Sequence, residues 1–370
     1  MNRPSANTIA SNAVHSNAVH SNVVHSNVMK GPRMLTTRFV AAVLAATAVV
    51  ACGSDSKPAT STPPAAITLV AYDSFPTKDT PLNDALAAFT ATTGIKVSIV
   101  IAGDAGTMVT KATLTAGKPE GDVMWGVDNT LLSAATDGMV FDGDPTQVDF
   151  GDVCVNYDIA WFTQHSLTPP TTLDDLLQPE YKDLLVVEDP ASSSPGLAFL
   201  LATVAHSGES GWQQYWSDLR ANGVEVVDSW ETAYYERFSG AGGSNGDKPL
   251  VVSYGSSPPA EVVFADPPRS DAPTGVSAGT CFRQLEYAGV LRGSAHVSEA
   301  QQLVTFLTSE TFQKELPLTL FVYPVDPAVP LPEVFTKYAV VPQDPFTMDP
   351  ATIATNRQQW QDQWNEIVLR

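Results

Sequence analysis

Cysteine, histidine and positive charge are all in short supply in this chain. Its three cysteines, Cys52, Cys154 and Cys281, are too few for a disulfide-built miniature fold or a cysteine-rich metal centre. Of its six histidines, His15, His20 and His25 fall in a polar repeat near the N-terminus, which leaves His165, His206 and His296 for the rest. Lys and Arg number 20 against 40 acids. Arg3, Lys30, Arg33 and Arg38 precede the first acid, so the remainder carries 20 − 4 = 16 bases against 40 acids, a formal charge of −24. Nucleic acid is thereby excluded as a partner, because a phosphate backbone needs a basic surface, whereas a cationic ligand is compatible. The uncharged apolar run at 39–50 is too short to span a bilayer comfortably.

What is present is ample material for a core. Hydrophobic residues make up 44% of the chain and aromatics 9%, which rules out a disordered protein and allows two domains or more. Residues 11–28 repeat Ser-Asn-Ala/Val-Val-His and read as a leader or as the product of an upstream start codon, with Met29 or Met34 as sensible starts. Then come a basic section, the apolar run, and Val49-Val50-Ala51-Cys52. That three-part pattern resembles a bacterial lipoprotein signal in which Cys52 carries the lipid. Residues 1–51 are thus expected to be leader and signal, and 52–66, rich in Ser, Thr, Pro and Ala, a flexible tether. The folded body is expected to work outside the cytoplasmic membrane, anchored through Cys52.

The body alternates strand and helix, which predicts an α/β fold with parallel pairing. Residues 67–72 and 95–101 read as strands around a helix that Thr80-Pro81 starts and Gly94 ends. Strands are expected to end at Asp128 and to run over 153–162, 184–187 and 276–291. Helices are expected from Asn129, after Ser194 acting as N-cap, over 212–220, from Ser298 to Lys314, and over 351–368, where Trp360 and Trp364 read as packing residues. Pro/Gly punctuation at 141–151 and 267–275 marks candidate crossings between two lobes, and a chain that crosses and returns makes a cleft. The boundaries this suggests are 67–150 for lobe 1 with 273–326 returning, and 151–272 for lobe 2 with 327–370 packed on it.

The stretch 226–258 organises the site. A strand-like run leads to Trp230, Tyr234 and Tyr235, and a second ends at Ser253-Tyr254 within a Ser/Gly/Pro turn. Strand ends of an α/β sheet are where ligands bind, and aromatic faces beside carboxylates suit a planar organic cation. Taken singly, each ring reads first as core, and it is their company with the other turns that points to a site.

These residues resemble the thiamine-binding proteins of bacterial ABC importers, within the two-lobed extracellular solute-binding proteins. The resemblance covers residue 67 to the end. It rests on Tyr72-Asp73-Ser74-Phe75, Gly126-Val127-Asp128-Asn129, Asp189-Pro190-Ala191-Ser192-Ser193-Ser194-Pro195-Gly196-Leu197, Trp230-Glu231-Thr232-Ala233-Tyr234, Ser253-Tyr254 through Ser257-Pro258, and Tyr323-Pro324-Val325. It implies a type II periplasmic-binding-protein-like fold, a monomer with the ligand in the cleft between lobes, no cofactor, and delivery to a membrane permease with its ATPase subunit. It also implies that Tyr72, Trp230 and Tyr254 enclose the thiamine rings, that Asp128 supplies charge, and that Ser193 lies near the hydroxyethyl or phosphate end, with Tyr234 beside them. Two departures stand out: Asp79 and Ala260 occupy places where some members of the family carry Trp and Tyr. Tyr235 and Phe321 are candidates to replace those rings, and Asp79 to add charge.

Three other readings compete. A thiaminase-like enzyme would need an activated thiolate, but Cys154 and Cys281, in an oxidising compartment, are expected to pair with each other rather than remain two buried thiols. Ferric ion could use Tyr234-Tyr235, yet no His stands nearby to complete a ligand set. A purely structural lipoprotein would leave the aromatic strand ends unexplained.

Overall fold

The computed structural model describes residues 65–370; the leader, Cys52 and nearly all of the tether lie outside the described residues. The first lobe opens with β1 (Ala66–Ala71), α1 (Pro81–Thr93), β2 (Lys96–Ile101), α2 (Ala105–Leu114), β3 (Val123–Asp128) and α3 (Leu132–Asp137). The long strand β4 (Thr146–Asp158) leads through α4 (Ile159–Gln164) to β5 (Leu185–Glu188), α5 (Ser194–Ser207), α6 (Trp212–Ala221) and β6 (Glu225–Val227). After a π-helical turn at Thr232–Arg237 come β7 (Leu250–Tyr254), α7 (Pro258–Val263) and the second long strand, β8 (Thr274–Val290). The chain finishes with α8 (Val297–Leu307), α9 (Glu310–Gln313), α10 (Leu316–Thr319), β9 (Tyr323–Pro324), α11 (Glu333–Tyr338) and α12 (Pro350–Val368).

One sheet, in the order β2-β1-β3-β8-β4-β7-β5-β6, carries all of this, with β9 added to β4. The flanks β2-β1-β3 and β7-β5-β6 are internally parallel, as alternating strand and helix require, and the antiparallel pair β4–β8 joins them. The N-terminal half of β4 faces the part of β8 that pairs with β3, while its C-terminal half pairs with β7. The long strands β4 and β8 thus link the two flanks, and the Pro/Gly segments 141–151 and 267–275 run into their first residues. Between Val153 and Val155 the β4–β8 register slips, because β8 takes the five steps from Ser277 to Phe282 against two steps of β4. A disulfide between Cys154 and Cys281 sits at that slip, and Thr280 Oγ1 accepts from the Val155 N–H at 2.8 Å.

Local signals explain most elements. Thr80 caps α1 in a reciprocal box with Asn83, Pro81 sits in its first turn, and Gly94 ends it at φ +74°. On α12, Trp360 and Trp364 are buried, Trp364 edge-on against Trp216 of α6 at 5.4 Å, so they are core. Other boundaries move for specific reasons. The strand expected over 153–162 stops at Asp158, whose carboxylate accepts from Trp161 N–H and starts α4. Helix α3 begins three residues later than Asn129, because that side chain is engaged with β8, donating to Arg283 O and accepting from Leu285 N–H. The cap of α8 is His296 rather than Ser298, and α8 ends at Leu307, well before Lys314. Ser193, not Ser194, holds the N-cap position of α5, and its hydroxyl makes no capping bond.

Candidate functional site

Tyr72 follows β1, and its ring lies on the β3 backbone at Gly126. A Cβ at position 126 would come within 2.3 Å of the Tyr72 ring, and Gly126 has φ +115°, so glycine is required there by both space and conformation. That contact explains why Tyr72 and the Gly126-Val127-Asp128-Asn129 turn occur together.

On the other flank, Trp230 stands just beyond β6, held by a relay of hydroxyls. Its indole N–H donates to Ser253 Oγ at 2.9 Å, Ser253 and Ser257 hydroxyls meet at 2.8 Å, and Ser257 Oγ accepts from the Tyr254 N–H at 3.2 Å. The Ser253-Tyr254 through Ser257 motif thus fixes one ring and carries another. Trp230 stacks on Tyr234 at 5.1 Å and 20°, and lies 6.4 Å from Tyr254 at 60°. The extra residue per turn in the π-helical segment brings Tyr234 under Trp230. The Tyr234 hydroxyl donates to Glu261, and burial first, then Glu261, raise its pKa well above the phenol range.

These rings enclose a cavity of about 300 Å³ lined by Tyr72, Trp230, Tyr234, Tyr235 and Tyr254 together with Asp73, Asp104, Asp149 and Glu286. Among the described residues its wall holds no Lys, Arg or His. Asp104 caps α2, accepting from Ala105 N–H at 2.6 Å, and reaches across to the Trp230 N–H at 3.4 Å. Burial, then the nearby Asp73, push its carboxyl up to about 6. Asp149 and Glu286 face each other across β4 and β8, and the Trp125 indole N–H is shared between them, at 3.1 and 2.7 Å. Burial raises both carboxyls and their mutual repulsion adds to it at Glu286, so the pair retains a proton near neutrality. Burial and Glu286 in turn raise the Tyr72 and Tyr254 phenols, which stay neutral.

Of the residues singled out from sequence, Tyr72, Trp230, Tyr234 and Tyr254 meet at this cavity, and Asp128 and Ser193 do not line it. Asp128 is fully buried beneath it, with one oxygen accepting from Thr130 N–H and hydroxyl and Leu131 N–H and the other from Gln284. It holds the turn after β3 and orients Gln284, which also donates to Ser194 Oγ and does line the cavity. Ser193 is buried with an unpartnered hydroxyl, and Ser194 takes its place on the wall. Asp79 is exposed at φ +61° and does not line the cavity, though Thr80 beside it does, while Ala260, Tyr235 and Phe321 all line it.

Asp104, Asp149, Glu286 and Gln284 were missed in the sequence. Asp104 had a readable signal, an acid directly before a helix. Asp149 and Glu286 lie in strands that carry several other polar residues, such as Asp152 on β4 and Arg283 on β8, so nothing local marks them out or says that they face each other.

Residues 126–239 match the model of a family described as bacterial extracellular solute-binding protein. The chain is 28% identical over 317 residues to the thiamine-binding periplasmic protein of Salmonella typhimurium, covering 82% of this chain and 94% of that protein. A solved periplasmic thiamin binding protein superposes with a TM-score of 0.71 at 26% identity, over 87% of this chain and 100% of that one. The Bordetella ferric binding protein shares the fold, with a TM-score of 0.56 at 18% identity over 82% of this chain and 98% of its own. The fold is that of the type II periplasmic binding proteins, and the resemblance read from the motifs extends over most of the chain.

Proposed function

We propose that this chain, a relative of the solute-binding proteins over most of its length, captures thiamine outside the cytoplasmic membrane and hands it to an ABC permease with its ATPase subunit. One observation carries the reading: four aromatic residues of the sequence motifs and four acids surround a cavity whose wall, among the described residues, has no basic side chain. Thiamine's thiazolium bears a fixed positive charge that ring faces and carboxylates both stabilise, and its aminopyrimidine offers donors and acceptors along one edge. Ligand contacts to both flanks of the sheet exist only when the cleft is closed, so their free energy drives closure. No catalysis is required, and with Cys154 bonded to Cys281 neither sulfur is a nucleophile. Thiamine monophosphate and diphosphate belong to the same reading as candidate ligands. Lipid attachment at Cys52 and a monomeric state complete it.

Ferric ion is supported less well. A phenolate ligand has to turn its oxygen to the ion, whereas the Tyr234 hydroxyl is buried and donates to Glu261.

Isothermal titration of the purified protein with thiamine, its monophosphate and its diphosphate tests the proposal. One-to-one binding of thiamine, lost in Trp230→Ala, is the expected result. No heat with any of the three, using folded protein free of carried-over ligand, overturns it.

A further inference from the structure

Helix α2 carries in its first turn a glycine, Gly106, that its backbone conformation does not require, since its φ is not positive. Ala would favour the helix more at that place. Space is what demands glycine there. A Cβ on Gly106 would come within 2.6 Å of Ser192 O and 2.9 Å of Ala191 O, backbone atoms that cannot turn aside as a flexible side chain would. Ser192 lies between β5 and α5, in the flank β7-β5-β6, whereas α2 lies between β2 and β3 in the opposite flank.

The close approach makes a hydrogen bond. The first turn of a helix leaves N–H groups with no partner inside the helix. In α2 the Ala105 N–H goes to Asp104 Oδ1, and the Gly106 N–H donates across the cleft to Ser192 O at 3.1 Å. A bond in the reverse direction stands beside it, from the Trp230 N–H to Asp104 Oδ2 at 3.4 Å. Each flank thus gives one donor and one acceptor. Ser192 is tied to the segment that carries Trp230, because its hydroxyl donates to Asp228 O at 2.6 Å and the Asp189 N–H donates to Val227 O at 2.8 Å. The Asp189 carboxylate folds the loop by accepting from the Ala191 N–H at 2.8 Å. The Ser192 carbonyl and the Trp230 N–H are therefore presented to α2 as one edge.

We infer that this edge and the first turn of α2 form a latch between the flanks, with Gly106 as the positioning residue that sets how closely they approach and so how long the ligand stays. This rests on the reading of the cleft as one that closes over thiamine. Gly106 does not line the cavity, although Ala105 before it does, so its effect on the ligand runs through closure. When the flanks part, the Gly106 N–H and the Ser192 carbonyl are both free to bond water, and the bond itself therefore adds little. A side chain at 106 would act differently: it would hold the flanks apart by a methyl group and leave the open form untouched. It would then bias the equilibrium against the closed form without touching the ligand.

The test uses the purified full chain with thiamine as the probe. Gly106→Ala is expected to weaken binding by about ten- to a hundredfold in titration calorimetry, the scale of one overpacked contact, and to speed dissociation. Its melting temperature without ligand should be unchanged or higher, because Ala is the better helix former and the open form has room for it. Small-angle scattering should show the parent contracting on saturation with thiamine and the variant contracting less. Gly106→Val, which aims two more carbons at the same carbonyl, should bind more weakly still. Parental affinity in Gly106→Ala overturns the inference. So does a ligand-free melting temperature that falls along with affinity, since the contact would then be permanent packing that is present whether or not the cleft is closed. A parent chain that binds thiamine no better than Gly106→Ala does sinks the latch alone; a parent chain that does not bind thiamine sinks the functional reading and the latch with it.

Discussion

The indole N–H of Trp230 donates to Ser253 Oγ at 2.9 Å, tying the ring that follows β6 to the end of β7. That bond, with Tyr234 stacked at 5.1 Å behind, fixes the Trp230 ring before any ligand arrives. Trp230→Ala should therefore weaken thiamine binding by more than about tenfold, the scale of a buried aromatic anchor. Ser253→Ala, which keeps the ring but frees its edge, should cost about three- to tenfold, the worth of one hydrogen bond. Titration calorimetry on both variants checks the order; equal affinities in parent and Trp230→Ala would remove Trp230 from the site.

Asp104 makes binding depend on pH. Its carboxyl is raised from 3.8 to about 6 in the free protein, by burial and then by Asp73. A cation favours the ionised form, so binding expels a proton and affinity should rise as pH goes from about 5 to about 7.5, by at most about tenfold per pH unit for each proton released. For the ligand-free fold the sign is opposite. The folded chain holds a proton that the unfolded chain releases, so Asp104 costs stability as pH rises from 3.8 to about 6. Titrations in buffers of different ionisation heat count the protons; an affinity flat across this range in the parent, or an unchanged slope in Asp104→Asn, contradicts the assignment.

The Asp149–Glu286 pair should contribute charge rather than shape. Asp149→Asn leaves the Trp125 N–H its Glu286 acceptor and, because Glu286 carries the retained proton, removes the pair's net negative charge. We expect the variant to lose about five- to thirtyfold in affinity for thiamine, a 1–2 kcal/mol effect at a partly desolvated site. A neutral analogue with an uncharged ring in place of the thiazolium should bind parent and variant alike. Equal losses for both ligands would mean that the substitution changed the shape of the cleft.

The disulfide spans 127 residues and staples the two crossing strands where their register slips. Closing a loop of that length removes chain entropy worth roughly 4–5 kcal/mol from the unfolded state. Reduction, or Cys154→Ser with Cys281→Ser, should lower the melting temperature by roughly 8–15 °C in a body of this size. Thermal unfolding with and without reductant measures it, and free thiols that label before reduction would show that the bond does not form.

Cys52 gives the last prediction. Full-length protein made in a bacterial host with lipoprotein processing should partition into the detergent phase, and Cys52→Ser should move it to the aqueous phase. Aqueous partitioning of the parent would count against the anchor.

Several parts of the fold were legible because their causes are local. Thr80, Asn83 and Gly94 begin and end α1 through contacts within a turn or so of themselves. Trp360 and Trp364 share a helix face, so their burial followed from spacing. Ser193 and Ser194 show the limit of such reasoning: both sit at the start of α5, and choosing between them required knowing that Gln284, from β8, reaches Ser194. The same holds for Asp128, legible as a strand-end acid, whose oxygens are taken by its own turn and by Gln284.

By itself the sequence determined the α/β alternation, the aromatic strand ends at Tyr72, Trp230 and Tyr254, and the excess of acid over base, since each depends on residue type and near spacing. Tertiary structure alone decided which acids line the cavity. Asp149 and Glu286 meet through the register of β4 on β8, and Asp104 meets Trp230 across the cleft. Strand register and lobe approach are fixed by the packing of distant segments, and shifting register by one residue would turn Asp149 to the opposite face. The charge of the site therefore resides in a pairing that no window of the chain contains.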